Sequence, residues 1–153
     1  MKKIFLLTFL FLLSACKSEA STTSSSTRWI EYENALSHAI IHEKGICEWE
    51  IWGHIGQEVY VWAVCQAENS EQGAAGSVPA VIYLASNGNI EKVAIPRDGV
   101  DYTADIKNLF PLDVQNLINS NKFDAKKALE HIEKRRQDRS IMPMIVEAGV
   151  TLP

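Results

Sequence analysis

Residues 47–65, CEWEIWGHIGQEVYVWAVC, constrain the fold more than any other part of the chain. Cysteines close both ends. On either side of Gly56 the residues alternate as along a half-buried strand, where successive side chains point to opposite faces. With Gly56 at the apex of a hairpin, Cys47 stands opposite Cys65, Trp49 opposite Ala63 and Ile51 opposite Val61, all on one face. The other face carries Glu48, Glu50, Trp52, His54, Glu58, Tyr60, Trp62 and Val64. A two-residue turn would move the pairing by one, each strand keeping its own alternation. The first face reads as core. Trp52, Tyr60 and Trp62, with Trp52 opposite Tyr60, read as an aromatic surface turned away from that core, the kind of patch that marks a partner contact. A sheet covered on both faces is the competing expectation.

The flanking segments complete an α+β domain. From Trp29 to Lys44 the positions Trp29, Tyr32, Leu36, Ala39, Ile40 and the stem of Glu43 fall on one helical stripe, with Thr27 as a cap and Gly45 as the terminating residue. The outer face of that helix carries His38 and His42, spaced as a metal pair would be but without a third ligand pattern, so a solvated face is the reading. After a polar loop, VPAVIYLASNGNIEKVAI reads as a second hairpin turning at Asn87-Gly88, the signature of a type I′ turn. Two short helices are expected around Pro111, then a helix from Ala125 to about Asp138 capped by Asp124. The last helix has Ala125, Ala128, Leu129 and Ile132 as its apolar stripe. Lys126, Lys127, Lys134, Arg135 and Arg136 form a solvated face interleaved with acids. MIVEAGVTLP is expected to run back as an edge strand. The architecture is therefore an N-terminal helix plus a four-stranded antiparallel meander with C-terminal helices, cystatin-like by fold-level analogy alone.

The beginning of the chain belongs to targeting. Lys2 and Lys3 precede an apolar run from Ile4 to Leu13, which is too short to span a bilayer and has the shape of a signal peptide. Leu13-Ser14-Ala15-Cys16 resembles the lipobox of bacterial lipoproteins. That resemblance implies removal of residues 1–15 and acylation of Cys16, and more than one acyl chain gives stable anchoring. In the same family pattern Lys17, standing where an aspartate would retain the protein at the inner membrane, implies the outer membrane in a Gram-negative cell. In a cell with one membrane the anchor sits on its outer face. Residues 16–27, rich in serine and threonine, read as a tether with a reach of about 17–20 Å, and residues 28–153 as one domain.

An exported protein matures in an oxidising compartment, and Cys47 and Cys65 are the two cysteines left once Cys16 is acylated, so a disulfide across the hairpin is expected. Free structural thiols remain an alternative. A Cys–His nucleophile pair fits less well, because His54 alternates onto the opposite face. A search for catalytic and metal patterns finds neither a Gly-x-Ser-x-Gly elbow nor a phosphate-binding glycine loop, and no EF-hand spacing around Asp98, Asp101 and Asp105. Glu48 and Glu50 read as ordinary solvent-facing strand residues rather than as a glycosidase pair. A net charge of −4 gives no sign of a nucleic-acid partner, and neither a cofactor nor a metal is expected.

The domain is similar to a set of uncharacterised bacterial exported proteins and lipoproteins. The likeness rests on Cys47-Glu48-Trp49-Glu50-Ile51, on Glu58-Val59-Tyr60-Val61-Trp62-Ala63 before Cys65, and on Phe110-Pro111 with Asp113-Val114-Gln115. The ending, from His131-Ile132 through Arg135-Arg136 to Leu152-Pro153, adds to it. It implies domain limits and no mechanism. The expected function is that of a membrane-anchored, non-catalytic envelope lipoprotein binding a protein, peptide or envelope polymer. A small cell-envelope hydrolase is the alternative.

Overall fold

The computed structural model of the protein describes residues 25–69, 73–120 and 122–147. The expected signal peptide, Cys16 and the tether up to residue 24 lie outside the described residues, as does the chain after residue 147. The element order is α1 (Ser25–Ile41), β1 (Gly45–Ile55), β2 (Glu58–Ala67), β3 (Ala75–Leu84), β4 (Ile90–Ala94), a 3₁₀ turn (Gly99–Asp101), α2 (Tyr102–Leu109), α3 (Leu112–Ser120), α4 (Ala125–Gln137) and β5 (Val146–Glu147). The strands form one sheet in the order β4-β3-β2-β1-β5. β1 to β4 are an antiparallel meander, and β5 joins β1 in parallel. The fold is α+β, as the hydrophobic periodicity predicts.

The first hairpin pairs Cys47 with Cys65, Trp49 with Ala63 and Ile51 with Val61. Its turn nevertheless holds two residues, Gly56 and Gln57, between the paired Ile55 and Glu58. Both statements hold because a bulge at Trp52 absorbs the one-residue difference. The bulge puts Gly53, rather than Trp52, opposite Tyr60, and His54 opposite Val59, a residue of the cysteine-side core. His54 thus belongs by register to the face from which simple alternation excluded it, although it is exposed.

Three boundaries also differ from expectation. α1 starts at Ser25 and ends at Ile41, and His42 takes the left-handed conformation at its end (φ 59°). Gly45 instead opens β1, where an added Cβ would lie 2.7 Å from both the Gln66 carbonyl oxygen and Ile41 Cδ1. The second hairpin closes with a three-residue loop, in which Gly88 N–H donates to Ala85 O and Ala85 N–H to Asn89 O. Only Gly88 in that loop has positive φ (85°), which makes it a type I turn with a glycine bulge rather than type I′.

Both faces of the sheet are covered. α1 lies across β1–β4 and packs Tyr32, Leu36 and Ile41 against Cys47, Trp49, Val61 and Ile82. On the opposite face α2 and α3 bring Ile106, Phe110, Val114 and Ile118 onto Trp52, Tyr60 and Val81, while Ala128 and Ile132 of α4 cover Ile46 and Val64.

Candidate functional site

Cys47 and Cys65 form a disulfide across β1 and β2, buried beneath α1. The aromatic surface expected at Trp52, Tyr60 and Trp62 is corrected by the structure. Trp52 is 1% and Tyr60 3% exposed, and Trp62 is half-buried, stacked on Phe123 with ring centroids 6.1 Å apart. The apolar stripes of α2 and α3 need a partner, and this face supplies it. Burial, and then the Glu58 carboxylate that accepts its hydroxyl hydrogen bond, hold the Tyr60 phenol above its ordinary range.

A polar network at the edge of β1 has no counterpart in the sequence reading. Arg135, read there as part of a solvated basic face, is 0% exposed, and Glu48, read as solvent-facing, is 1% exposed. The neighbours of Ile132 on the inner stripe of α4 carry the arginine inward, where its guanidinium meets both carboxylates and backbone. Nε donates to Ile141 O (3.0 Å), and Nη1 donates to Cys47 O (2.6 Å) and Glu48 Oε1 (3.1 Å). Nη2 lies 2.7 Å from Glu33 Oε1, a charge contact without hydrogen-bond alignment. Glu33 Oε1 accepts from Cys47 N–H (3.0 Å), and Glu33 Oε2 accepts from Arg139 Nη2 (2.6 Å). Glu48 Oε2 accepts from Met144 N–H (2.7 Å), and His131 Nδ1 lies 2.9 Å from Glu48 Oε1.

The arrangement has a structural logic. The N–H and C=O of Cys47 are both taken by side chains from outside the sheet, so they point away from β2, to the outer edge of β1. β5 pairs with β1 only at Glu50 and Ile51. Where β5 is missing, Glu33 and Arg135 occupy the donor and acceptor that a neighbouring strand would have used, which closes an edge otherwise open to foreign strands.

The other edge of the sheet is different. Among the described residues no strand pairs with the outer side of β4, and no hydrogen bond reaches it from the rest of the chain. Beside it runs an open groove of about 820 Å³, walled by Glu31, Ala35, His38 and Ala39 of α1 and by Ile90, Glu91 and Val93 of β4. Glu91 also lines a hollow against the β1–β2 turn at Gly56 and Gln57, which extends this furrow at one end of the β4 edge. A separate hollow, lined by His38, Glu43 and Lys44, lies at the end of α1 and holds no β4 residue. The width of the furrow is set by the helix: α1 begins beside the β3–β4 turn, where Arg28 Nη2 donates to Gly88 O (3.0 Å). At its other end Ile40 lies so close to Gly76 that an added Cβ would sit 2.5 Å from Ile40 Cγ2.

His38 faces this furrow, whereas His42 lies beyond the helix end, so the two do not share a helical face as a metal pair would. Among the described residues no group of three or more metal-ligating side chains comes together. Near the start of α2, Asp105 accepts from Arg97 at Nε (2.8 Å), Nη2 (2.8 Å) and the backbone N–H (2.9 Å), which holds its carboxyl down to about 2. Asp105, with Asp101 3.2 Å from Arg97 Nη1, thus fastens a loop. No helix of the described residues is long and apolar enough to cross a membrane.

Comparison with family models, curated proteins and solved structures finds no match to this chain.

Proposed function

We propose that this chain is a lipid-anchored, non-catalytic binding domain of the cell envelope, held at the membrane through Cys16 and engaging a protein, peptide or envelope polymer through the furrow between α1 and β4. The observation that carries the reading is the contrast between two stretches of strand edge. Beside Cys47 of β1, Glu33, Glu48 and Arg135 are engaged by one another and by backbone, while the outer side of β4 faces an open groove. The β4 edge is therefore open to an outside chain, as the Cys47 stretch is not.

The hydrolase alternative has one observation in its favour, the His131–Glu48 pair, in which a carboxylate holds Nδ1 of an imidazole as a general base requires. Glu48, however, is already engaged by Arg135 and the Met144 amide, and the imidazole is only 17% exposed. That geometry suits a structural strut better than a base that must reach substrate.

Two measurements test the proposal. Cys16→Ala should abolish incorporation of labelled fatty acid and release the protein from the membrane fraction. The purified acylated protein, mixed with solubilised envelope proteins or with isolated cell-wall sacculi, should be retained saturably by one of them. Retention by neither, together with turnover of an envelope polymer that His131→Ala abolishes, would replace the binding reading with the hydrolase.

A further inference from the structure

We propose that the β4 edge takes up an extended, basic peptide segment of a partner protein as a sixth strand of the sheet, lying in the furrow against α1. This rests on the binding reading above and names its ligand class.

Three independent features point to it. The first is the backbone. An edge strand presents a row of unpaired N–H and C=O groups whose natural complement is another extended chain, and no strand among the described residues pairs with the outer side of β4. Its five residues span about 17 Å at the usual rise, and the hollow against the β1–β2 turn extends the furrow beyond one end.

The second feature is a bulge in β4. Pairing with β3 passes from Tyr83↔Lys92 to Leu84↔Ile90, leaving Glu91 without a partner. Bulges at sheet edges re-aim side chains, and Glu91 lines both the main groove and the hollow beside it. The carboxylate is thereby placed where an added strand would run, in a strand that keeps Ile90 and Val93 packed towards α1.

The third feature is charge. Glu31 and Glu91 line the furrow, are exposed, and take part in no ion pair among the described residues. The lysine along it is engaged elsewhere: Lys92 places its ammonium 4.4 Å from the centre of the Tyr83 ring. A chain with alternating basic and apolar side chains meets both requirements, cations for the carboxylates and small apolar groups for the wall formed by Ala35, Ala39, Ile90 and Val93.

The test uses the full-length acylated protein in detergent micelles and end-blocked, labelled nonapeptides. The parent peptide alternates lysine and valine. Two variants carry N-methyl groups on alternate residues, one methylated at the lysines and one at the valines, and a fourth peptide has glutamate for lysine. Strand addition uses one edge of the peptide. So one methylated variant should lose binding by at least about tenfold while the other binds like the parent. Glu31→Lys with Glu91→Lys should weaken the lysine peptide by about tenfold and favour the glutamate one. Amide exchange in residues 89–95 should slow on binding. Equal binding of both methylated variants, indifference to the charge reversals, or no binding at millimolar peptide overturns the proposal. So does occupancy of the furrow by soluble cell-wall glycan fragments, or by a second copy of the chain, in place of the peptide. If the peptides fail while the protein is still retained by an envelope component, strand addition is wrong and the binding reading stands. If both fail, the binding reading falls too.

Discussion

Truncating Arg135 to alanine should be among the most damaging single changes to the fold. The guanidinium is fully buried and makes five contacts with named partners: Ile141 O, Cys47 O, Glu48, Glu33 and, through its Cζ at 5.2 Å, the ring of Trp29. Its removal leaves Glu33 and Glu48, both at least 98% buried, with Arg139 as the remaining arginine and with the Cys47 carbonyl unsatisfied. Breaking a buried ion pair from one side costs about 3–5 kcal/mol, because the surviving charge is stranded without solvent. A domain of this size has about 5–15 kcal/mol in total, so the variant stands near the edge of folding. Replacing the whole set should be far milder: Arg135→Met with Glu33→Gln and Glu48→Gln removes the charges together, and glutamine can still accept from the Cys47 amide.

Urea unfolding followed by tryptophan fluorescence reads both variants, with Trp29 as a reporter directly against the guanidinium. Arg135→Lys should fall between wild type and alanine, since an ammonium keeps the charge but cannot serve Ile141 O, Cys47 O and both carboxylates at once. Exposure of the β1 edge predicts a second phenotype, concentration-dependent self-association of Arg135→Ala that the wild type lacks. A loss below about 1 kcal/mol for Arg135→Ala would place the residue in the class of exposed substitutions and refute the buried network. An equal loss in Arg135→Ala and the triple variant would refute the electrostatic reasoning, leaving lost packing as the cause.

Three further outcomes are expected. Trp52→Ala should destabilise as severely as Trp49→Ala, by about 3–5 kcal/mol each in urea unfolding, since both rings are 1% exposed; a negligible loss at Trp52 would show an open aromatic face after all. Reducing the Cys47–Cys65 disulfide, with a sequence separation of 18, should lower stability by about 3 kcal/mol in unfolding with and without reductant, and two alkylatable thiols in oxidatively exported protein would show that the bridge is not formed. Because the folded pKa of Asp105 lies below its unfolded value, its contact with Arg97 favours the fold above about pH 4, and that contribution fades as pH falls towards 2; Arg97→Gln should return the carboxyl towards the ordinary aspartate range in an NMR titration.

The backbone plan was legible because it rests on periods. Alternation either side of Gly56 paired Cys47 with Cys65 and Trp49 with Ala63, and Asp124 announced α4, whose Lys127 amide it accepts at 3.0 Å. The bulge at Trp52 was not legible. It falls where Trp52 and Trp62 pack together (5.4 Å between rings) beneath a cover formed by helices far along the chain, contacts that alternation does not encode. For the same reason the aromatic face read as open: alternation assigns a side chain to a face and cannot say what later comes to rest on it.

The sealed stretch of β1 escaped the sequence for a more specific reason. The basic face of the last helix claims Arg135 for solvent by its type and the first helix leaves Glu33 unassigned, although both sit on the apolar stripes themselves. Ala128, Ile132 and Arg135 follow the spacing of an inward helix face, and Leu129, assigned to that stripe, is 37% exposed. Likewise Glu33 stands one turn from both Trp29 and Leu36, in the middle of the buried face of α1. A lone charge in such a position is costly, so its presence on an otherwise apolar stripe announces a buried partner of opposite sign. What the spacing cannot supply is which partner, since Arg135 and Glu48 are 87 residues apart. Once the pairing is known, the clustering of arginines in residues 135–139 has a cause: each serves β-sheet or loop backbone, or a carboxylate that does. Arg135 holds Cys47 O, Arg136 holds Ala67 O and Glu68 O, and Arg139 holds the Glu33 that receives Cys47 N–H. The C-terminal helix therefore acts on the sheet as a substitute strand at one edge, and the edge it cannot reach is β4.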